Sequence, residues 1–261
     1  MLDSPLTWHH GLIARWWAEF NTEGPEIAFF RTFLDRFGQP ALDAACGTGR
    51  LLVPYLAAGI DIDGCDISQD MLDLCQQRAR ALGASPHLYC QALHEVHLPR
   101  LYRTIIVCGA FGLGVSRRQD QEGLNRMFGH LEPGGALLLD HELPHDWPYW
   151  SADARKKLPQ EWAEHGERRV TSDGDELELI RRVAAFDPLD QAVTREVRAL
   201  LWRDGRVVRH EEHRLLERLY FRNEVLLMLS SAGFRNVAVF SDYTRQPAAP
   251  DAAFLVYVAT K

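Results

Sequence analysis

The sequence has few cysteines and no closely spaced pair of them. Its 261 residues include five, an odd number, namely Cys46, Cys65, Cys75, Cys90 and Cys108. A disulfide framework needs paired cysteines, and a structural zinc site usually needs a CxxC-type spacing. We therefore expect reduced thiols, most of them buried, in a cytoplasmic protein.

Long apolar runs and an excess of basic residues are also missing. No stretch approaches the roughly 20 apolar residues that cross a bilayer, and the first residues lack the uninterrupted apolar region of a signal peptide. The formal net charge is −7 and the pI is near 5.9. These properties argue against a nucleic-acid or membrane partner. They leave a small-molecule partner as the expectation and do not address the oligomeric state.

What the sequence does contain is a change of hydrophobic pattern along the chain. From about residue 26 to 143, short apolar strands alternate with amphipathic helices, which predicts a parallel sheet with helices on both faces. Residues 151–219 instead show period-2 patterning and an Asp204-Gly205 turn that favours a type I′ hairpin. We expect an antiparallel sheet of about three strands there. Residues 220–261 then predict a helix and two strands that complete the first sheet.

A glycine-rich turn ends the first predicted strand, within the segment LDAACGTGRLL (residues 42–52). Gly47 and Gly49 flank Thr48 where the next helix begins, so backbone N–H groups there are placed to face a ligand. Asp66 ends the following strand, where a carboxylate can accept both hydroxyls of a ribose. Taken singly, these residues also suit a tight strand-to-helix turn and a capping acid. Together they predict a nucleoside site.

The same turn lacks the third glycine of a dinucleotide fingerprint. Leu52 occupies that position, although G-x-G-x-x-G needs a glycine there for close packing over a pyrophosphate. A Walker A sequence is absent as well. The expected ligand is therefore a nucleoside without a buried phosphate.

These segments resemble the class I S-adenosylmethionine-dependent methyltransferases of the small-molecule type. LDAACGTGRLL is similar to their first motif, GCDIS followed by Met71-Leu72 to the second, and LEPGGALLLD to the stretch leading into their fifth strand. The resemblance implies an α/β, Rossmann-like methyltransferase fold with a mostly parallel seven-stranded sheet, helices on both faces and an antiparallel β insertion after the fifth strand. It assigns a helical lid to residues 1–38, the cofactor-binding core to 39–150, the insertion on the substrate side to 151–219, and the completion of the core sheet to 220–261.

The resemblance also implies S-adenosyl-L-methionine as the cofactor. Its methionyl part would lie among Asp43, Ala44, Gly47, Thr48 and Gly49, and its ribose on Asp66. Its adenine would pack beside Ile67 and Met71.

Three further parts of the cofactor site follow from the resemblance. Gln91 and Ala92 occupy the place of an acid and a backbone N–H that bind adenine; Gln91 departs from the acid, but its side-chain carbonyl is still an acceptor. Backbone carbonyls at Cys108 and Gly109 would meet the cofactor's amino group. Arg15, with Trp16 beside it, would reach the cofactor carboxylate from the lid, although both residues equally suit an amphipathic helix.

The string HELPH, residues 141–145, matches the zinc-protease pattern HExxH. That chemistry requires a helix, whereas this string follows a strand and Pro144 disfavours a helix at Leu143. We expect no metal there, nor at His94 and His97. His141 and Glu142 remain candidates to orient an acceptor or remove its proton; alternatively, His141 only bonds a neighbouring loop.

The leading interpretation is methyl transfer to an N, O or C atom of a small-molecule acceptor. A nicotinamide-dependent oxidoreductase is the second, and Leu52 counts against it. A non-catalytic S-adenosylmethionine-binding protein is the third, because a fold does not fix a function.

Overall fold

A computed structural model of the chain describes residues 7–144 and 147–261. The helices, in chain order, are α1 (Gly11–Phe20), α2 (Pro25–Phe37), α3 (Leu52–Ala57), α4 (Gln69–Ala81), α5 (Arg117–His130), α6 (Ala152–Arg155) and α7 (Arg222–Ala232). The strands are β1 (Ala41–Ala44), β2 (Ile62–Asp66), β3 (Leu88–Cys90), β4 (Tyr102–Val107), β5 (Leu131–Glu142), β6 (Glu167–Val170), β7 (Glu176–Asp187), β8 (Ala192–Arg203), β9 (Arg206–Arg218), β10 (Asn236–Ser241) and β11 (Phe254–Thr260).

The larger sheet has seven strands in the order β10-β11-β5-β4-β1-β2-β3. The pairs among β1 to β5 are parallel, and β11 runs antiparallel to both of its neighbours. One apolar cluster packs α5 and α7 against this sheet, and another packs α2, α3 and α4 against it. The expected fold class, with helices on both faces of a mostly parallel sheet, is confirmed.

Local signals in the sequence account for where several helices begin and end. The Ser68 hydroxyl accepts the Met71 N–H at 3.3 Å and caps α4, and Ser116 with Gln119 forms a capping box at the start of α5. Such caps satisfy N–H groups that have no partner within the helix. The strand-to-helix connections therefore end at defined residues along the sheet edge where β1, β2 and β4 terminate.

The smaller sheet is antiparallel and has the order β6-β7-β8-β9, one strand more than the sequence predicts. At the β8–β9 hairpin, Asp204 and Gly205 both have positive φ, 50° and 72°, as the type I′ turn requires. Helix α1 lies on this sheet: Leu12, Ile13 and Trp16 share an apolar cluster with β7 and β8. The insertion thus supports the helix that precedes the core in the chain.

None of the helices in residues 7–144 and 147–261 combines the length and apolar character that a membrane crossing requires.

Candidate cofactor site

A cavity of about 630 Å³ opens at the carboxyl edge of the larger sheet. The segments after β1, β2, β3 and β4 line it, as do residues of α1 and of the connection from β10 to β11. Ligands of open α/β sheets bind at this edge. The cavity therefore lies where the sequence places its nucleoside site.

The turn after β1 presents its backbone to this cavity. Gly47 has φ 53°, and a Cβ built there would have no atom within 4 Å, so the backbone is open to close approach. Gly49, with φ 83°, serves packing instead, because a Cβ there would lie 2.7 Å from the Cys75 Sγ and from Val53. Gly47 and Thr48 line the cavity, whereas Gly49 does not.

Asp66 stands at the cavity with its carboxylate fixed. Its oxygens accept the N–H of Gly47 at 2.9 Å and the N–H of Ser68 at 2.8 Å. Burial raises the pKa of Asp66, and these two hydrogen bonds oppose the rise by favouring the charged form. Each oxygen keeps a lone pair free, so the arrangement suits the two hydroxyls of a ribose.

Asp43 faces the cavity from β1 and is almost completely buried. Burial raises its pKa to about 7; the charge of Asp66 adds to the rise, and a backbone hydrogen bond opposes it. A carboxylate in this state gains stability from a cationic ligand group such as the ammonium of a methionyl moiety.

The residues expected beside adenine also meet at the cavity: Ile67, Met71, Gln91 and Ala92. The Gln91 side-chain carbonyl is already engaged, since it accepts the His97 N–H at 2.9 Å. His94 lines the same region, with its Nε2 3.1 Å from the Gln119 Nε2. In the sequence, His94 stands out only through its spacing from His97, where we expect no metal. His94 and Gln119 are thus further polar groups near the adenine side.

Three cofactor contacts expected from the resemblance are not brought to the cavity. Ala44 is buried in the core cluster, and Gly49 packs against α4. Arg15 turns the other way and pairs with Asp173 at 2.6 Å and Asp175 at 3.8 Å. Neighbouring positions of a helix face different directions. Trp17 of α1 and Asn21, which directly follows the helix, therefore line the cavity, whereas Trp16 packs on the insertion.

His141 and Glu142, the weak catalytic candidates, do not line the cavity either. The His141 ring is buried, with Nε2 3.0 Å from the Tyr257 hydroxyl and Nδ1 2.8 Å from the Glu142 carbonyl oxygen, and burial lowers its pKa. These contacts fit the second role considered for His141, a histidine that only hydrogen-bonds neighbouring segments. His145, the last residue of the HExxH string, lies outside the described residues, and the described part of the chain holds no group of three or more potential metal ligands.

The structure brings to the cavity several ionisable groups for which the sequence gives no spacing signal. Glu26, Arg50, Asp120, Asp242 and Tyr243 all line it. Asp242 and Tyr243 have left-handed backbone conformations, with φ 49° and 55°, a form uncommon outside glycine that often marks a functional site. The Tyr243 hydroxyl donates to the buried Asp140 at 2.9 Å, and Asp140 also accepts the Gly109 N–H at 2.5 Å. Tyr243 is thereby tied to the segment after β4.

The cavity is also covered by α1 and the residues just before it. Thr7, His9, Trp17 and Asn21 line it, and the Ser68 hydroxyl donates to the His9 carbonyl at 2.5 Å. Burial lowers the pKa of His9 to about 4, so its ring is neutral at neutral pH.

Comparison with known proteins gives the same result as the geometry. Residues 41–135 match the family described as "Methyltransferase domain". A provisionally named methyltransferase of Geobacillus sp. (strain WCH70) is 24% identical over 258 residues, which cover 95% of this chain and 98% of that protein.

Solved structures of similar shape cover nearly the whole chain. An S-adenosylmethionine-dependent methyltransferase from Clostridium acetobutylicum superposes with a TM-score of 0.71 at 17% identity, covering 94% of this chain and 96% of that one. The S-adenosylmethionine-bound amino pentose methyltransferase CalS10 from Micromonospora echinaspora gives 0.66 at 17% identity and covers 95% of each chain. Residues 41–135 are thus a methyltransferase domain, and the whole chain has the fold of S-adenosylmethionine-dependent methyltransferases; together with the cradle formed by Gly47 and Asp66, these findings support a class I methyltransferase that uses S-adenosyl-L-methionine.

Proposed function

We propose that this methyltransferase acts on a small molecule and that the atom it methylates is an amine nitrogen. The size of the acceptor follows from how the cavity is covered. Trp17 and Asn21 line the same space as Asp43 and Gly47, so an acceptor that reaches the cofactor must fit between α1 and the sheet edge. A folded macromolecule does not fit there.

The acid-rich lining is the observation that carries the choice of an amine. Five acidic residues line the cavity, namely Glu26, Asp43, Asp66, Asp120 and Asp242, against one arginine in the described lining. Glu26 pairs with that arginine, and Asp43 and Asp66 are proposed cofactor contacts, so Asp120 and Asp242 are the acids that remain for an acceptor. A negative, partly buried surface attracts cations and repels anionic acceptors. The similarity to the amino pentose methyltransferase CalS10 supports the same choice.

The chemistry asks little of the chain beyond positioning. When bound, S-adenosylmethionine would supply a methyl group on a sulfonium. An ammonium acceptor would first give its proton to solvent, and the free amine would then attack the methyl carbon in line as the carbon–sulfur bond breaks and S-adenosylhomocysteine leaves. The residues around the cavity hold the two reactants in one orientation, which provides much of the acceleration. The proposed cofactor contacts are Asp43, Gly47, Thr48, Asp66, Ile67, Met71, Gln91, Ala92, Cys108 and Gly109, all of which line the cavity.

A paired acceptor panel tests the proposal. Purified protein is incubated with S-adenosylmethionine and with amino sugars and other small amines, each matched to the analogue that carries a hydroxyl in place of the amine. Mass spectrometry then follows the methylated product. We expect methylation of one or more amines and none of their hydroxyl partners, and loss of the product in Asp66→Ala.

Methylation of hydroxyl analogues with no reaction of the amines would contradict the choice of nitrogen. Transfer to protein or nucleic-acid substrates in preference to every small molecule would contradict the proposed acceptor class.

A further inference from the structure

The cavity has many acids but few positive groups to meet the carboxylate of the cofactor. Among the lining residues of the described chain, Arg50 is the one arginine or lysine. A buried carboxylate needs a charged or hydrogen-bonding partner. We propose that Arg50 binds the carboxylate of the cofactor's methionyl group and that Glu26 positions Arg50 for this task.

The place of Arg50 in the fold fits this role. It directly follows Gly49 in the turn after β1, and its Nη2 lies 3.6 Å from the Cys108 Sγ at the end of β4. The guanidinium therefore spans the two segments that flank the methionyl part of the proposed site. A thiol is a weak acceptor, so Arg50 keeps N–H donors for a stronger one, and a planar guanidinium suits a carboxylate in bidentate geometry.

Glu26 fixes the other side of the guanidinium. Its carboxylate forms an ion pair with Arg50 and is only 3% exposed. It lies in the first turn of α2, where the helix dipole favours a negative charge. A buried carboxylate of this kind, paired with one flexible arginine, holds that arginine in one orientation.

Gly24 leaves the space in which the Glu26 carboxylate lies. A Cβ built on Gly24 would come within 2.2 Å of the Glu26 Oε1 and 2.5 Å of its carboxyl carbon. Any side chain at position 24 would therefore displace the carboxylate. The ion pair between Glu26 and Arg50 therefore depends on a glycine at position 24.

Arg15 does not compete for this role. Its guanidinium donates to Asp173 at 2.6 Å and to Thr171 at 3.2 Å, on the side of α1 that faces the insertion. Arg15 thus offers a matched control: an arginine near the same cavity that is engaged elsewhere.

The test compares two ligands that differ in the amino acid moiety. S-adenosylhomocysteine carries the carboxylate, whereas 5′-methylthioadenosine keeps the nucleoside and the thioether and lacks the amino acid. Calorimetric titration measures both on each variant. For Arg50→Gln we expect a loss of about 10- to 100-fold in affinity for S-adenosylhomocysteine, the scale of a hydrogen bond to a charged group. Binding of 5′-methylthioadenosine should stay within about twofold, which also shows that the variant is folded. Arg15→Gln, which removes a contact between α1 and the insertion, should not discriminate between the two ligands.

The role of Glu26 is tested by comparing the effect of its substitution on affinity with and without Arg50. We expect Glu26→Gln and Gly24→Ala each to weaken S-adenosylhomocysteine by several-fold in the wild-type background and to have no further effect in Arg50→Gln. Neither change should alter binding of 5′-methylthioadenosine. A merely structural role would weaken both ligands alike and would persist without Arg50.

Equal losses for the two ligands in Arg50→Gln, or a selective loss in Arg15→Gln, would overturn the assignment of Arg50. Tighter binding of S-adenosylhomocysteine in Glu26→Gln would overturn the positioning role of Glu26. The experiment uses no acceptor, so its outcome is separate from that of the amine panel.

Discussion

Two buried carboxylates at the ends of neighbouring strands differ in how they are held. Asp66 accepts N–H groups from Gly47 and Ser68, which favours its charged form. Asp43 is as deeply buried, and its pKa is raised to about 7. Asp43 is therefore a group whose charge changes near neutral pH, whereas the Asp66 carboxylate is held in place by two backbone N–H groups.

The state of Asp43 makes cofactor binding depend on pH. If ionised Asp43 faces the ammonium of the methionyl group, binding favours its deprotonated form and releases a proton below pH 7. With a pKa of about 7 in the free protein, we expect the affinity for S-adenosylhomocysteine to rise about tenfold from pH 6 to pH 8. Calorimetric titration across this range in two buffers of different ionisation enthalpy measures both the affinity and the released proton.

Asp43→Asn is the matched control, because it keeps the shape of the side chain and removes its titration. The variant should bind more weakly at pH 8 and lose most of the dependence on pH. A wild-type affinity that stays flat between pH 6 and pH 8 would mean that Asp43 does not face the cofactor's charge.

At this scale the sequence predicts the parts of the site that are local in the chain. Gly47, Thr48 and Asp66 lie in short motifs at strand ends, and they do line the cavity. The pairing of Glu26 with Arg50 arises only when α2 packs beside the turn after β1, so no spacing in the sequence reveals it. The pairing of Arg15 with Asp173 is hidden from the sequence for a related reason: a periodic pattern gives the apolar face of a helix but not the element that this face meets.

At the scale of elements, α1 connects the insertion to the cofactor site. The Leu12 N–H donates to Glu211 of β9 at 2.8 Å, and the Gly11 N–H donates to Asp70 of α4 at 2.7 Å. Two N–H groups in the first turn of the helix therefore have acceptors, one carboxylate from the core (α4) and one from the insertion (β9). The helix is held between the core and the insertion, with Trp16 packed on the insertion and Trp17 at the cavity.

The Trp16 contact should control how firmly α1 is held. Trp16 is 5% exposed, and replacing a buried tryptophan by alanine costs about 3–5 kcal/mol. Because the lost contacts are those between α1 and the insertion, we expect amides of residues 11–20 to exchange faster in Trp16→Ala than in wild type, with a weaker affinity for S-adenosylhomocysteine. Hydrogen exchange followed by mass spectrometry measures the first effect and calorimetry the second.

Trp150→Ala provides the matched control, since Trp150 packs against Phe186 in a separate cluster. It should leave exchange in residues 11–20 at the wild-type rate. Equal exchange of α1 in both variants would show that the insertion does not hold the helix.

At the scale of the whole molecule, the sequence predicts the seven-stranded sheet, whereas the position of the insertion depends on packing. Alternating strands and helices follow from periodicity and short connections, so the seven-stranded sheet could be predicted. The insertion was expected on the substrate side, yet no residue of 151–219 is among those that line the cavity in the described chain. Its position could not be read from the sequence, because Arg- and Glu-rich alternation describes a solvated sheet face without saying what covers the other face.

The insertion reaches the cofactor site through α1 and also from β9, where the Gly114 N–H donates to the Leu216 carbonyl at 2.6 Å and the Arg218 N–H to the Gly112 carbonyl at 2.7 Å. We expect the effect of ligand binding on β7 and β8 to follow the route through α1. A ligand present at 100 times its Kd stabilises the folded state by about 2.7 kcal/mol. We expect S-adenosylhomocysteine at this excess to slow exchange in the turn after β1, in α1, and also in β7 and β8, whose side chains Leu177, Leu179 and Val197 pack with Trp16. Strands β7 and β8 do not line the cavity, so slower exchange there reports coupling through α1 or through β9, which pairs with β8. The substitution Trp16→Ala separates the two routes. In Trp16→Ala the ligand should still protect the turn after β1 but no longer β7 and β8. Protection of β7 and β8 that survives this substitution would show that the two sheets communicate by a route other than α1.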